Sequence, residues 1–241
     1  MKGILLCGGE GTRLRPFTEV VNKHLVRVHN LPMAEYPLRK MIEAGIEDIL
    51  IVTGGENFAA VVKYFGSGCK WDVRINYAIQ DKAGGIAEAL GLAEKWIGND
   101  NMMVCLGDNI WSMNLKPYVD KFDIEGRILS AMFFSIHSAT PERFGQLRYE
   151  DNRIVDVVEK SEHVYSNNIL TGIYIYGPYV FPIIHGLVPS KRGELEISDV
   201  NRHYIERDRA KVVAMTGWWS DCGNLENIVK TEELLKNDRP V

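Results

Sequence analysis

The sequence lacks the features that mark several large classes of protein. It has no uninterrupted apolar run of about 18 residues, as a membrane-spanning helix would need, and no pattern of a secretory signal. The net charge of −4 and the pI of about 5.9 argue against a nucleic-acid-binding or anionic-membrane surface. We therefore expect a cytoplasmic protein that binds neither nucleic acid nor membrane.

Cysteine is also scarce, and its spacing excludes two kinds of site. The four cysteines lie far apart and form no C-x-x-C pair, which argues against a zinc site or a disulfide framework; they are Cys7, Cys69, Cys105 and Cys222. Because Cys7 and Cys105 lie within strand-like apolar runs, we predict that both are buried thiols.

Two common glycine-rich nucleotide motifs are missing. Gly9 and Gly11 fit the start of the dinucleotide fingerprint G-x-G-x-x-G, but Leu14 stands where the third glycine is needed. No acidic residue closes a second strand about 20 residues further on, as ribose recognition requires. The G-K-[ST] ending of the P-loop motif does not occur at all.

A different glycine-rich loop is present near the start of the chain. The apolar run Ile4–Cys7 predicts a buried strand, and three glycines follow it within four positions, at Gly8, Gly9 and Gly11. Arg13 and Lys23 then supply positive charge. Glycines let backbone N–H groups approach a ligand closely, so the pattern favours a phosphate-binding loop. A tight strand-to-helix turn with two surface cations is the alternative interpretation.

The order of apolar patterns predicts the fold class. Through the first half, buried strands alternate with helices, which indicates a mostly parallel sheet covered on both faces. In the second half, strand-like segments separated by short turns indicate added antiparallel strands. We predict one α/β domain, 1–241, with a nucleotide-binding half over about 1–110 and a sugar-binding half over about 111–241. The predicted helices are 33–44, 57–65, 87–96, 180–187, 198–207 and 225–236, and the predicted strands are 48–52, 73–77, 102–106, 128–136, 145–149, 154–158, 172–176 and 211–215.

Several polar residues stand at the ends of these predicted elements. Asp108 follows the buried strand 102–106, and its carboxylate is a ligand type that Mg²⁺ prefers, although Gly-Asp-Asn is also good turn chemistry. Asp221 precedes the last helix and could equally be its N-cap. Gln80 offers one acceptor and two donors, which suits the imide edge of a pyrimidine, although a surface loop residue would look the same. We predict Ser198 as a helix N-cap and Trp218 and Trp219 as core or interface residues.

The glycine loop forms part of a longer signature. Residues 8–18 read GGEGTRLRPFT, and 22–25 and 31–33 read NKHL and LPM. This resembles sugar-1-phosphate nucleotidylyltransferases, most of all the glucose-1-phosphate thymidylyltransferase branch, and the resemblance extends to Asn224. It implies a Rossmann-like three-layer sandwich that transfers a nucleotidyl group from dTTP to glucose 1-phosphate with release of pyrophosphate. Two alternatives stay open: the same reaction with UTP or another sugar 1-phosphate, and a non-catalytic nucleotide-sugar binding protein.

The resemblance also implies a role for individual residues. The metal ligands for Mg²⁺ would be Asp108 and Asp221, and the catalytic cations Arg13, Lys23 and Lys160. The nucleotide contacts would be Gly8, Gly9, Gly11, Thr12, Arg13, Gln80, Gly85 and Asp108, and the sugar-phosphate contacts Gly145, Glu159, Lys160, Gly172 and Glu194. Family members favour homodimers and homotetramers. The chain departs from the family pattern at Cys7, Arg27 and Leu31 and in the short segment 161–170 beside the predicted sugar pocket, so glucose itself is an open point.

Overall fold

The protein is a mixed α/β chain in the computed structural model, which describes residues 1–55, 58–125 and 130–238. The described strands are β1 Lys2–Cys7, β2 Arg27–Val28, β3 Leu31–Pro32, β4 Asp48–Gly54, β5 Arg74–Gln80, β6 Met102–Leu106, β7 Asn109–Trp111, β8 Ala131–His137, β9 Gly145–Glu150, β10 Arg153–Glu159, β11 Asn168–Tyr176, β12 Ala210–Ala214 and β13 Trp219–Asp221. The α-helices are α1 Glu35–Glu43, α2 Phe58–Phe65, α3 Ile86–Gly91, α4 Glu94–Ile97, α5 Lys116–Glu125, α6 Val180–His185, α7 Ile197–Glu206 and α8 Leu225–Asn237.

The chain divides into two compact units. The first unit contains Lys2–Ala83, Cys105–Pro117 and the described residues from Thr216 onward. The second unit contains Gly84–Val104 and Tyr118–Met215 together with Met1. Each unit is therefore built from segments that are distant in sequence. The assignment of nucleotide and sugar binding to the halves 1–110 and 111–241 stays a prediction.

The first unit is built on parallel strands. Strand β4 pairs with both β1 and β5, and Ile51 lies opposite Leu5 on one side and Tyr77 on the other. The apolar runs of β1 and β4 are almost wholly buried, as expected for parallel strands that are covered on both faces. Helix α1 presents Leu38 and Met41 to this core.

A smaller core lies under the last helix. It joins the β2–β3 hairpin, the short strand β7 and helix α8, and its buried members are Leu14, Val28, Met33, Ile110, Cys222 and Ile228. Helix α8 begins at a cap, because the side chain of Asn224 accepts a hydrogen bond from the backbone N–H of Asn227 at 2.9 Å. Burial of the apolar side of α8 therefore holds the segment from Thr216 onward in the first unit.

The second unit is built mainly on antiparallel strands. Strand β9 forms a hairpin with β10, and β11 pairs with β8, with a register shift between Leu170 and Tyr174. Strand β12 adds to β8 in parallel. The core contains a stack of aromatic rings, in which neighbouring centroids lie 5.8–6.5 Å apart, formed by Phe133, Tyr174, Tyr176 and Tyr204. Such offset and edge-to-face pairs contribute stability beyond their buried area.

The predicted α/β class is confirmed, but several local predictions were wrong. The predicted helix 87–96 is two helices, α3 and α4, interrupted at Leu92 and Ala93. Ser198 is not an N-cap; Glu196 occupies that position, and Ser198 is buried in the first turn. The apolar spacing of the predicted helix 57–65 favours a buried side of Ala59, Val62 and Phe65; Phe65 is buried, but Ala59 is exposed, Val62 is half-buried, and Val61 is buried in their place.

Two predicted elements extend beyond what the structure describes. Asn57, at the start of the predicted helix 57–65, and Ile128 and Leu129, at the start of the predicted strand 128–136, lie outside the described residues. Within the described ranges, no helix is long and apolar enough to cross a membrane.

We expect Ile228→Ala to destabilise the first unit. Ile228 is 7% exposed and packs in the core under α8, so its truncation should lower the free energy of unfolding by about 2–4 kcal/mol. The neighbouring Val229→Ala is the matched control, because Val229 is 57% exposed and should cost less than about 0.5 kcal/mol. Urea denaturation measures both, and equal losses would contradict the packing of α8.

Candidate functional site

The glycine loop of the first unit turns sharply where β1 ends. Gly9 and Gly11 have φ angles of 98° and 64°, and Gly11 caps the short 3₁₀ turn Thr12–Leu14. The carbonyl oxygen of Gly11 accepts hydrogen bonds from the Leu14 N–H at 2.8 Å and from the Thr18 hydroxyl at 2.7 Å. A left-handed backbone with this close packing requires glycine at position 11. Thr12 and Arg13 follow on the exposed side of the loop.

Lys23 packs against this loop and forms an ion pair that is mostly buried. A Cβ added to Gly11 would lie 2.8 Å from the Lys23 Cβ, and one added to Gly9 would lie 3.7 Å from the Lys23 Nζ. The Nζ donates to the Asp108 Oδ2 at 2.7 Å, and the two side chains are only 16% and 13% exposed. Burial lowers the pKa of Lys23, but the charge and hydrogen bond of Asp108 outweigh it, so the pKa is raised and the ammonium stays charged.

A two-stranded ladder places a second carboxylate beside Asp108. Strands β7 and β13 pair antiparallel with Asp221 opposite Asn109, and the Cys222 N–H donates to the Asp108 carbonyl oxygen at 2.8 Å. The Asn109 side chain donates to the Asp108 Oδ1 at 3.0 Å and accepts from the indole N–H of Trp219 at 2.8 Å. Both oxygens of the Asp108 carboxylate are therefore held by neighbouring donors.

The two carboxylates have opposite pKa shifts. Burial opposes ionisation of Asp108, but the Lys23 charge and the donated hydrogen bonds hold its pKa well below the usual range. Burial and the nearby Asp108 charge both raise the pKa of Asp221, and Lys23 and Arg13 only partly offset this. Burial and the Lys23 charge lower the pKa of the adjacent His24 to about 3, so this imidazole is neutral at pH 7.

A cavity of about 160 Å³ opens beside the loop in the first unit. It includes Gln80, which is buried at the end of β5, and Gly54, which lies opposite Gln80 in the β4–β5 register. A Cβ added to Gly8 would approach the Gln80 Oε1 to 2.9 Å, so the amide lies against the glycine loop. The cavity is lined by Gly9, Glu10, Thr18, Val21, Asn22, Lys23, Gly54, Gly55, Gln80, Asp81, Lys82 and Ala83.

Gly85, which we predicted as a nucleotide contact, packs tightly within the second unit. It precedes α3 with a φ of 103°, and a Cβ there would lie 2.4 Å from the Leu195 carbonyl oxygen and 3.1 Å from the Glu194 Cβ. The Leu195 N–H donates to the Gly84 oxygen at 2.7 Å. The start of α3 is therefore bonded to the segment that carries Glu194, a predicted sugar contact.

The other predicted sugar-side residues also lie in the second unit. Glu159 lies opposite Gly145 in the β9–β10 register, and its Oε1 is 3.5 Å from the Lys160 Nζ. Burial raises the pKa of Glu159, as does the charge of Glu196, while Lys160 and Arg192 lower it. Gly172 is buried in β11, within the register shift. A Cβ at Gly145 would lie 3.3 Å from the Glu159 Oε2, so this carboxylate lies over a glycine.

Comparison with known proteins identifies the family. A family model described as Nucleotidyl transferase matches residues 2–238. A glucose-1-phosphate thymidylyltransferase from Neisseria meningitidis serogroup A is 39% identical over 232 residues, covering 95% of this chain and 80% of that protein. The low-salt glycan biosynthesis nucleotidyltransferase Agl11 of Haloferax volcanii is 35% identical, covering 99% of this chain and 67% of that protein. The chain belongs to the nucleotidyl transferase family.

Solved structures agree with this nucleotidyl transferase assignment. A Bacillus anthracis protein described as a glucose-1-phosphate thymidylyltransferase, in complex with sucrose, superposes with a TM-score of 0.92 at 42% identity, covering 100% of this chain and 97% of that one. A UDP-glucose pyrophosphorylase complexed with UDP-glucose gives a TM-score of 0.86 at 26% identity, covering 99% of both chains. The predicted Rossmann-like fold is thereby confirmed.

The donor set of this nucleotidyl transferase fits a magnesium ion. Among the described residues, no group of three or more His, Cys, Asp or Glu side chains could hold a metal. Mg²⁺ is commonly bound by only one or two carboxylates, with substrate phosphates and water completing its shell. Asp108 and Asp221 supply such a pair, and their mutual repulsion, seen in the raised pKa of Asp221, is what a divalent cation would relieve.

Sequence reasoning missed the residues that support the acidic pair. Strands β7 and β13 are three residues long, too short for a periodic pattern, so Asn109 was not singled out. Trp219 was predicted to be a core or interface residue, whereas its indole N–H fixes the amide that holds Asp108. A buried indole N–H usually needs a hydrogen-bond acceptor, so the tryptophan at position 219 was the one sign in the sequence that a polar partner lies nearby.

We expect Gly11→Ala to destabilise the protein, with Gly54→Ala as its matched control. The φ of 64° and the approach of 2.8 Å to the Lys23 Cβ should make the Gly11 substitution cost about 1–3 kcal/mol. A Cβ at Gly54 meets no atom within 4 Å, so that change should stay within about 0.5 kcal/mol. Urea denaturation compares the two, and equal effects would contradict the described loop geometry.

Proposed function

We propose that this nucleotidyl transferase joins dTTP and glucose 1-phosphate into dTDP-glucose and releases pyrophosphate. The observation that carries the proposal is the buried Lys23–Asp108 pair against the glycine loop, with the Asp221 carboxylate beside it. This arrangement suits a nucleoside triphosphate and a divalent cation. The names of the Neisseria meningitidis relative and the Bacillus anthracis structure support the choice of dTTP and glucose 1-phosphate.

The proposed reaction needs no general base. The second pKa of a phosphate monoester is about 6, so an oxygen of the sugar phosphate is already anionic at pH 7. It attacks the α-phosphorus, the new P–O bond forms, and the bond to pyrophosphate breaks on the opposite side. The main difficulty is the approach of two polyanions, so catalysis consists of positioning and charge neutralisation.

Cationic side chains would neutralise the charge of the two substrates at separate positions. Arg13 and the N–H groups of the glycine loop would hold the leaving pyrophosphate. Lys23, which keeps its charge although buried, would face the α-phosphate. Lys160 would hold the attacking sugar phosphate, and Glu159 and Glu194 would accept hydrogen bonds from sugar hydroxyls. Gly145, against which the Glu159 carboxylate packs, and Gly172 on β11 would complete the lining of the sugar pocket.

Mg²⁺ completes the proposed site. When bound by Asp108 and Asp221, the ion would stabilise the charge that develops on the transferring phosphate. The chain prepares this site by holding both oxygens of Asp108 with Lys23 and Asn109.

The base is proposed to be a pyrimidine read by Gln80. The Gln80 amide lies against Gly8 at the edge of the first-unit cavity, where it can pair with an imide edge. The N3–H of thymine or uracil donates beside a carbonyl oxygen that accepts, so this interpretation suits dTTP or UTP. UTP is the second candidate, because UDP-glucose pyrophosphorylase is a structural neighbour at 26% identity. A cytoplasmic location and a homodimer or homotetramer remain predictions from the sequence.

The reaction can be tested by pyrophosphate release. With Mg²⁺ and glucose 1-phosphate, we expect release with dTTP, and less or none with UTP, CTP, ATP and GTP, each tested separately. Asp108→Asn should abolish release, because the carboxylate that pairs with Lys23 and faces the metal is lost. Release with UTP in place of dTTP would favour the second candidate. If no triphosphate gives pyrophosphate release but calorimetry shows that dTTP binds, the natural co-substrate is a sugar phosphate other than glucose 1-phosphate.

The role of Lys160 is tested by Lys160→Ala. We expect kcat/KM for glucose 1-phosphate to fall on the order of 100-fold, mainly through KM, while the KM for dTTP changes little. Lys230→Ala is the control, because Lys230 forms an exposed i,i+4 pair with Glu226 and should leave both constants unchanged. Equal losses for both substrates in Lys160→Ala would contradict a specific role at the sugar phosphate.

A further inference from the structure

A fully buried amide lies next to the predicted sugar contacts of the second unit. Gln146 follows Gly145 on β9 and has no solvent exposure. A buried carboxamide is costly unless its donors and acceptor are satisfied. Its Nε2 donates to the Ser161 carbonyl oxygen at 2.8 Å, and its Oε1 accepts from the Tyr165 N–H at 2.9 Å. The side chain therefore connects two points of the segment that joins β10 to β11.

These two points are the ends of one exposed loop. Ser161 and Tyr165 are four residues apart, the spacing at which a backbone N–H would bond directly to a carbonyl in a single helical turn. The Gln146 amide instead stands between them and bonds to both. The side chains within the loop supply little burial of their own, since Val164 is 48% exposed and Tyr165 is 43% exposed. The loop thus depends on Gln146 for its anchor at the β10 end.

The anchored loop begins directly after Lys160. Lys160 has a φ of 43°, a left-handed conformation that costs a non-glycine residue roughly 1 kcal/mol, so neighbouring bonds must hold it. Its own N–H donates to the Phe144 carbonyl oxygen at 3.0 Å, and the next carbonyl, that of Ser161, is held by Gln146. The peptide group before Lys160 and the one after Ser161 are therefore both held by the residues on either side of Gly145, Phe144 and Gln146.

We propose that Gln146 is a positioning residue for the sugar-phosphate cation Lys160. By closing the loop Ser161–Tyr165, it sets the direction in which Lys160 leaves the end of β10. The proposal rests on the proposed function only in taking Lys160 as the group that binds the sugar phosphate. It predicts that the Gln146 amide, without contacting a substrate itself, contributes to the binding of glucose 1-phosphate and not to the binding of dTTP.

The test uses the full chain with Gln146→Met and Gln146→Glu. Methionine keeps the volume and removes both hydrogen bonds, while glutamate keeps an acceptor for Tyr165 and loses the donor to Ser161. We expect Gln146→Met to raise the KM for glucose 1-phosphate about tenfold, with kcat, the KM for dTTP and the thermal midpoint close to wild type. Gln146→Glu should raise the same KM and also lower the thermal midpoint, because it buries an unpaired carboxyl group against the Ser161 carbonyl, so Gln146→Met is the decisive variant.

Ser166→Ala is the matched control. It removes a hydrogen bond from the same connection, from the Ser166 hydroxyl to the Leu147 carbonyl oxygen, but at the end remote from Lys160. We expect it to leave the KM for glucose 1-phosphate within about twofold of wild type. An equal rise in this control would mean that any loosening of the connection has the effect, and would overturn the specific role of Gln146.

A double-mutant cycle and hydrogen exchange complete the test. In the Lys160→Ala background, Gln146→Met should have no further effect on the KM for glucose 1-phosphate, because the cation that it positions is gone. Independently of activity, the Tyr165 amide should exchange faster in Gln146→Met. Fast exchange with an unchanged KM, or additive effects in the cycle, would overturn the proposal.

The outcomes separate this inference from the proposed function. If Lys160→Ala raises the KM for glucose 1-phosphate and Gln146→Met does not, only the role of Gln146 fails. If the protein turns over no triphosphate, calorimetric binding of glucose 1-phosphate replaces KM in the same cycle. If Lys160→Ala and Gln146→Met then lose affinity for glucose 1-phosphate alike, the positioning role of Gln146 is supported even though the proposed reaction has failed.

Discussion

The described part of the first unit depends on one buried ion pair, that between Lys23 and Asp108. A buried ammonium or carboxylate is strongly unfavourable alone, so each of these groups requires the other. Asn109 satisfies the second oxygen of Asp108. The glycine loop packs over Lys23 because Gly9 and Gly11 leave room for it, and His24 stays neutral beside the pair. The result is an ammonium group held in one place against the glycine loop.

The two units carry different charge arrangements that suit two different ligands. In the first unit, Lys23 and Arg13 accompany a glycine loop, which is chemistry for phosphate. In the second unit, carboxylates and cations lie together around the Glu194 segment, where Arg192 pairs with both Glu194 and Glu196. Carboxylates are good acceptors for hydroxyl groups, which a sugar supplies in number.

Most of the fold could be predicted from the sequence, because long apolar runs indicate buried strands and glycines mark where helices and strands end. The glycine loop after a buried strand was predicted from its spacing, and the structure packs Lys23 against it; phosphate binding by this loop stays a prediction. What could not be predicted depends on contacts distant in sequence. The pairing of Asp221 with Asn109 joins strands of three residues that are more than 100 positions apart. Likewise, Gln146 is an ordinary polar residue in the sequence of an alternating strand, and its hydrogen bonds to Ser161 and Tyr165 become evident only in the structure.

The β7–β13 ladder has a consequence for the order in which the protein is made. A ribosome synthesises the glycine loop, Lys23 and Asp108 long before it reaches Trp219–Asp221. Until β13 is available, β7 lacks the strand with which it pairs in the folded protein, and the indole that fixes Asn109 is missing. Such pairings of high sequence separation form late in folding. A nascent chain therefore cannot bring Asp108 and Asp221 together until β13 has been synthesised.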